Sequence, residues 1–78
     1  MMPDPHLDGF RLTFEKMETD IQVDVLDVLG RKRFNTTLKQ GATEIWIDTE
    51  GWPVGLFICQ TVDLLHHRNG WIGKVIKN

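Results

Sequence analysis

Seventy-eight residues make one domain with a small core and leave no room for a catalytic cleft built between two domains. With 41% hydrophobic and 26% charged residues, neither disorder nor a coiled coil is expected. A formal charge of -2 gives no general attraction to nucleic-acid phosphates or anionic lipid heads, and no apolar run approaches the ~18 residues of a membrane-spanning helix.

The N-terminal Met1-Met2-Pro3-Asp4-Pro5 has no basic or apolar stretch of the export-signal kind, so any such signal is expected elsewhere. Phe10, Leu12 and Phe14 then alternate with Arg11 and Thr13, and Ile21, Val23 and Val25 with Gln22 and Asp24, the period of two that half-buried strands require. Glu15 to Asp20, between them, is polar enough for a surface loop. Leu29-Gly30-Arg31-Lys32 predicts a tight turn, with Arg33 to Leu38 returning as the next strand. Thr43 to Asp48 is a fourth strand, with Ile45 and Ile47 on one face and Trp46 on the other. Glu50-Gly51-Trp52-Pro53 must be a connection, because proline removes a backbone donor. Gly55 to Val62 is almost unbroken apolar sequence, so a central strand covered on both faces is expected. Arg68-Asn69-Gly70 predicts a hairpin turn, and Trp71 to Lys77 the closing strand, which alternates poorly between its faces. No helix of useful length fits, and the reading is all-β with six or seven strands.

Few residues suggest chemistry. His66 and His67, with Asp63 nearby and His6 distant, invite a metal site, but adjacent histidines in extended backbone point to opposite faces and are better read as solvated. Cys59, the single cysteine, can form no internal disulfide, has no base among its neighbours Phe57, Ile58 and Gln60, and reads as a small buried hydrophobe. Asn35-Thr36-Thr37 matches a glycosylation sequon, a pattern too short to carry weight. Arg31-Lys32-Arg33 reads as a solvated hairpin tip. Trp46, Trp52 and Trp71 would form a carbohydrate platform if they shared an exposed face, although a core this small is expected to use at least one of them. No acid/base pair or activated nucleophile emerges, so no enzyme and no cofactor is expected.

Four blocks in order give the chain a resemblance. Pro3-Asp4-Pro5-His6-Leu7-Asp8-Gly9-Phe10 looks like Pro-Asn-Pro-x-x-x-Gly-x, with Asp4 for the usual asparagine, Pro3 and Pro5 fixing an extended lead-in and Gly9 starting the first strand. Val23 to Arg31 is similar to a strand ending in an Asn/Asp-x-x-Gly-Arg turn, with Asp27 and Gly30 in register. Trp52-Pro53-Val54-Gly55-Leu56-Phe57 resembles Leu-Pro-x-Gly-x-Tyr, with Phe57 replacing the tyrosine and losing its hydroxyl. Gly73-Lys74-Val75-Ile76-Lys77 resembles a closing Lys-hydrophobic-hydrophobic-Lys, followed here by Asn78. Together they resemble the type A C-terminal sorting domain of the type IX secretion system, over nearly the whole chain.

The resemblance implies an immunoglobulin-like antiparallel β-sandwich of about seven short strands, with residues 1–78 a single domain excised from a larger exported protein. It implies passage of that parent through the periplasm, recognition by the type IX translocon, and delivery across the outer membrane of a Gram-negative bacterium to the cell surface or beyond. In relatives a sortase of the cysteine-protease type often removes the domain and joins the parent to anionic lipopolysaccharide. The strand Trp71 to Lys77 is expected to supply the receptor contact, with Lys74 and Lys77 giving charge complementarity or else guarding the edge against aggregation. An edge-strand dimer stays open, and the alternative reading is an immunoglobulin-like carbohydrate-binding or adhesion module.

Overall fold

Alternation decides the architecture. In the computed structural model, which describes residues 1–78, there are seven strands and no helix: β1 (Met2–Pro5), β2 (Gly9–Thr13), β3 (Ile21–Asp27), β4 (Lys32–Leu38), β5 (Glu44–Asp48), β6 (Gly55–Asp63) and β7 (Arg68–Lys77). They form a three-stranded sheet, order β1-β2-β5, packed on a four-stranded sheet, order β4-β3-β6-β7, with every pairing antiparallel. The all-β expectation holds, and the two layers make the small sandwich the resemblance implied.

The inner faces follow the period of two. Phe10, Leu12 and Ile47 from the three-stranded sheet meet Val23, Val25, Leu38, Phe57, Cys59 and Val75 from the four-stranded one. Only 14 of 78 residues are buried, so each core side chain carries a large share of a small total stability. No tryptophan is fully buried: Trp52 and Trp71 pack partly buried against the core, and Trp46 stays 45% exposed.

Four local expectations change. The seventh strand is β1, where the sequence suggested an extended lead-in; Gly9 therefore starts the second strand. Prolines are compatible with β1 because it is an edge strand. The last hairpin turns at Leu64–His67, and Asn69-Gly70 lies inside β7, with Asp63 opposite Arg68 and Val62 opposite Asn69. Asp63 nucleates that turn by accepting bonds from the Leu65 and His66 amides at 3.0 and 3.2 Å, and His67 takes the left-handed conformation, φ 52°. Gly70 falls at the β6/β7 irregularity, where Trp71 donates to Thr61 Oγ1 at 2.7 Å and a Cβ on Gly70 would stand 2.6 Å from that oxygen. β6 is central in its sheet but covered on one face only, because a two-layer fold has no third layer: Phe57, Cys59 and Thr61 are buried, Ile58, Gln60 and Val62 half-buried, and Leu56 exposed. β7 in turn alternates cleanly from Trp71 onward, with Trp71, Gly73, Val75 and Lys77 inward and Ile72, Lys74 and Ile76 outward.

Candidate recognition surface

The motif residues fall at one pole of the sandwich. Pro5 ends β1, Gly9 opens β2, Asp27 ends β3 opposite Phe57, and Gly55 opens β6 opposite Lys77. A small cleft of about 10 Å³ between the sheets at that pole is lined by Pro5, Gly9, Phe57 and Lys77 among others. Gly30 and Pro53 lie in the adjoining turns, and Pro3 and Lys74 stand further along their strands. Nothing in their sequence separation foretells this gathering; it follows from the antiparallel register.

Asp27 organises the β3–β4 turn. Its Oδ1 accepts the Leu29 and Arg31 amides at 3.0 and 2.9 Å, its Oδ2 accepts Arg31 Nε at 2.8 Å, and its carbonyl accepts the Gly30 amide at 3.0 Å. Gly30 supplies the φ of 83° that closes the turn. Burial works to raise the Asp27 pKa, but the Arg31 backbone and guanidinium bonds outweigh it and hold the carboxyl below its ordinary range. The basic tip is therefore not simply solvated: Arg31 and Arg33 both pair with Asp27, and Lys32 pairs with Asp24 at 3.6 Å. Asp24, 4% exposed, also accepts from Gln22 and Asn35. Sequence reasoning passed over it as an ordinary outward-facing residue; the adjacent Gln22 two residues away and the partner strand's asparagine were its only signals.

The other candidates separate. Trp46 lies over Gly9, and a Cβ there would also stand 2.7 Å from the Ile47 carbonyl oxygen. His6 meets Trp46 edge-on at 5.4 Å, Trp52 packs on Phe57 at 5.1 Å, and Trp71 covers Gly73. The three tryptophans thus occupy three sites and share no exposed face, which removes the platform a carbohydrate-binding module would need. His66 Nδ1 lies 2.7 Å from Asp63 Oδ2, engaged in its own turn. Cys59 is fully buried, and burial together with the Asp24 charge pushes its thiol up to about 11, so it is inert as a nucleophile.

Four sheet edges face solvent, and they are not alike. Phe14 donates to Thr43 at 3.0 Å, so the even residues of β2 face β5 and the odd ones face β1. Arg11 and Thr13 therefore pair with Asp4 and Met2, and the nitrogens of Pro3 and Pro5 point to the open side, where proline leaves no donor. In β5 the edge is only five residues long and bounded by Glu44 and Asp48, and the β4 edge begins with Lys32 and Arg33. β7 differs. Both backbone groups of Trp71 face Thr61, so Gly73, Val75 and Lys77 face β6, and the N–H and C=O of Ile72, Lys74 and Ile76 face outward along ten proline-free residues. Beside this edge, without pairing to it, runs β1; the groove between them, about 330 Å³, is lined by Pro3, Pro5, Lys74, Val75, Ile76 and Asn78. Lys74 and Lys77 point to opposite faces, so they do not form one charged patch.

No curated protein and no solved structure matches the chain. The model of one family, described as the secretion system C-terminal sorting domain, matches residues 1–78. With the strand order, the Asp-x-x-Gly-Arg turn and the closing lysine strand in place, the chain belongs to the family of C-terminal sorting domains, the sorting signals of type IX secretion, which interact with that machinery and direct export to the cell surface or secretion.

Proposed function

We propose that the type IX translocon recognises this domain at the free edge of β7, and that the motif pole around Asp27, Gly30, Pro53, Gly55 and Phe57 holds that strand in register. The observation that carries the reading is the contrast between edges: β1 is stripped of outward donors by Pro3 and Pro5, whereas β7 keeps a row of three at Ile72, Lys74 and Ile76. A receptor that adds a strand to a sheet gains affinity from backbone bonds and selectivity from the side chains beside them. Residues 1–78 act as one domain carried by a larger exported protein, which passes through the periplasm and the outer membrane. A sortase-like cysteine protease then removes the domain and links the parent to anionic lipopolysaccharide. The domain contributes no chemistry of its own, a reading supported by the inert thiol of Cys59 and the sorting role of its family.

The test is surface delivery of a periplasmic reporter fused to residues 1–78 in a secretion-competent host. Deleting Gly73 to Asn78 is expected to trap the reporter inside. Ile76→Pro, which removes one outward donor and leaves the β6 ladder intact, is expected to trap it as well while the purified domain keeps its β-sheet circular dichroism. Undiminished delivery by the folded Ile76→Pro variant would overturn the edge reading.

A further inference from the structure

The chemistry of β7 is one-sided. Its ten residues hold Arg68, Lys74 and Lys77 and no acid, in a chain whose net charge is -2. The cations of β4 and its turn are all paired with carboxylates, whereas Arg68, Lys74 and Lys77 form no ion pair. On the outer face Lys74 stands between Ile72 and Ile76, 60% and 62% exposed, with Ile58 opposite it on β6 and Leu26 beyond on β3. The same three residues that offer outward backbone groups thus present an apolar, cationic, apolar row of side chains.

We propose that the β7 edge takes an extended segment of a partner protein that alternates apolar residues and carries a carboxylate in register with Lys74. This rests on the reading that the β7 edge is what the machinery recognises, and it specifies the chemistry of the partner. A strand added there places one set of its side chains beside Ile72, Lys74 and Ile76, where opposite charge stabilises and like charge directly opposite destabilises. Its other set enters the groove between β7 and β1, where Pro3, Pro5 and Val75 form an apolar wall. Because the prolines present no outward N–H, β1 lines that groove without offering a competing ladder. A second copy is the wrong occupant: pairing β7 with β7 brings together two strands that hold cations and no acid, and the symmetric register sets Lys74 directly against Lys74.

The experiment uses the 78-residue chain and an end-capped Val-Thr-Val-Glu-Val-Thr-Val peptide, read by fluorescence anisotropy and by backbone amide exchange. The peptide is expected to bind and to slow exchange at Ile72, Lys74 and Ile76. A lysine in place of its glutamate should weaken binding roughly fivefold or more, the scale of exchanging an opposite for a like cross-strand charge. Lys74→Glu should reverse that preference, and N-methylation of alternate peptide amides should abolish binding. Equal binding of the glutamate and lysine peptides, no binding of either, or protection of the same amides by self-association without peptide would each overturn the proposal. If the peptide fails while folded Ile76→Pro still blocks delivery, the acidic-strand chemistry falls and recognition at the edge stands; the reverse pattern removes the edge reading itself.

Discussion

Single carboxylates hold the turns of this small sandwich, each accepting backbone amides together with a side-chain donor. Asp27 accepts two amides besides the Arg31 guanidinium, and the exposed ion pair contributes little in water. Asp27→Asn, which keeps an acceptor for Leu29 and Arg31, is therefore expected to lower the melting temperature less than Asp27→Ala does, as differential scanning calorimetry would measure; equal loss would assign the role to charge. Asp63 is held at about 2, chiefly by the His66 side-chain bond, with burial opposing and the His66 and Leu65 amides assisting. Unfolded aspartate titrates near ~3.9. As pH falls the unfolded chain takes up the proton first, so the stabilisation from Asp63 is complete above about pH 4 and is lost as pH drops toward about 2. Asp20, Asp24 and Asp27 are lowered too and act with the same sign. Thermal melts from pH 5 to 2 should show a steep fall in that window, flattened in His66→Ala.

At the scale of strands, register explains what each glycine and proline does. Gly9 has no room for a side chain beneath Trp46 and the Ile47 carbonyl oxygen, and Gly9→Val is expected to cost about 1–3 kcal/mol in chemical denaturation, the range of overpacking. On β7 the phase of the ladder sets the outcome: Val75→Pro breaks a bond to β6 and is expected to unfold the domain, while Ile76→Pro spares the ladder. The strands were legible wherever apolar and polar residues alternate, as at Phe10, Leu12 and at Val23, Val25. Asn69-Gly70 misled because its turn propensity competed with Asp63, whose side chain caps a turn four residues earlier. The apolar run of β6 promised cover on both faces, yet run length records hydrophobicity and not how many layers a fold possesses. Pro3 and Pro5 carried a signal that went unused: spaced by two in one strand, they strip the same edge.

Seen whole, the molecule is a thin core clad by two sheets, with most of its sorting motifs at one pole and four sheet edges, of which β7 is the one proposed to pair with the machinery. Leu12, fully buried, is among the nine side chains that make up the core, so Leu12→Ala is expected to cost about 2–5 kcal/mol and to leave a domain this size largely unfolded. The four sequence blocks were legible as motifs, but that they meet at one pole depends on long-range pairings such as Gly55 with Lys77 and Asp27 with Phe57. The β7 edge was foreseen as the strand Trp71 to Lys77; what makes it unlike the β1 edge beside it became visible only once backbone groups had directions. Photocrosslinking in secreting cells tests this most directly, with a photoreactive residue placed in turn at Ile72 and Ile76 on β7, Thr37 on β4 and Trp46 on β5. Adducts with a type IX component from the β7 positions alone are the predicted result, and adducts from β4 or β5 with none from β7 would contradict it.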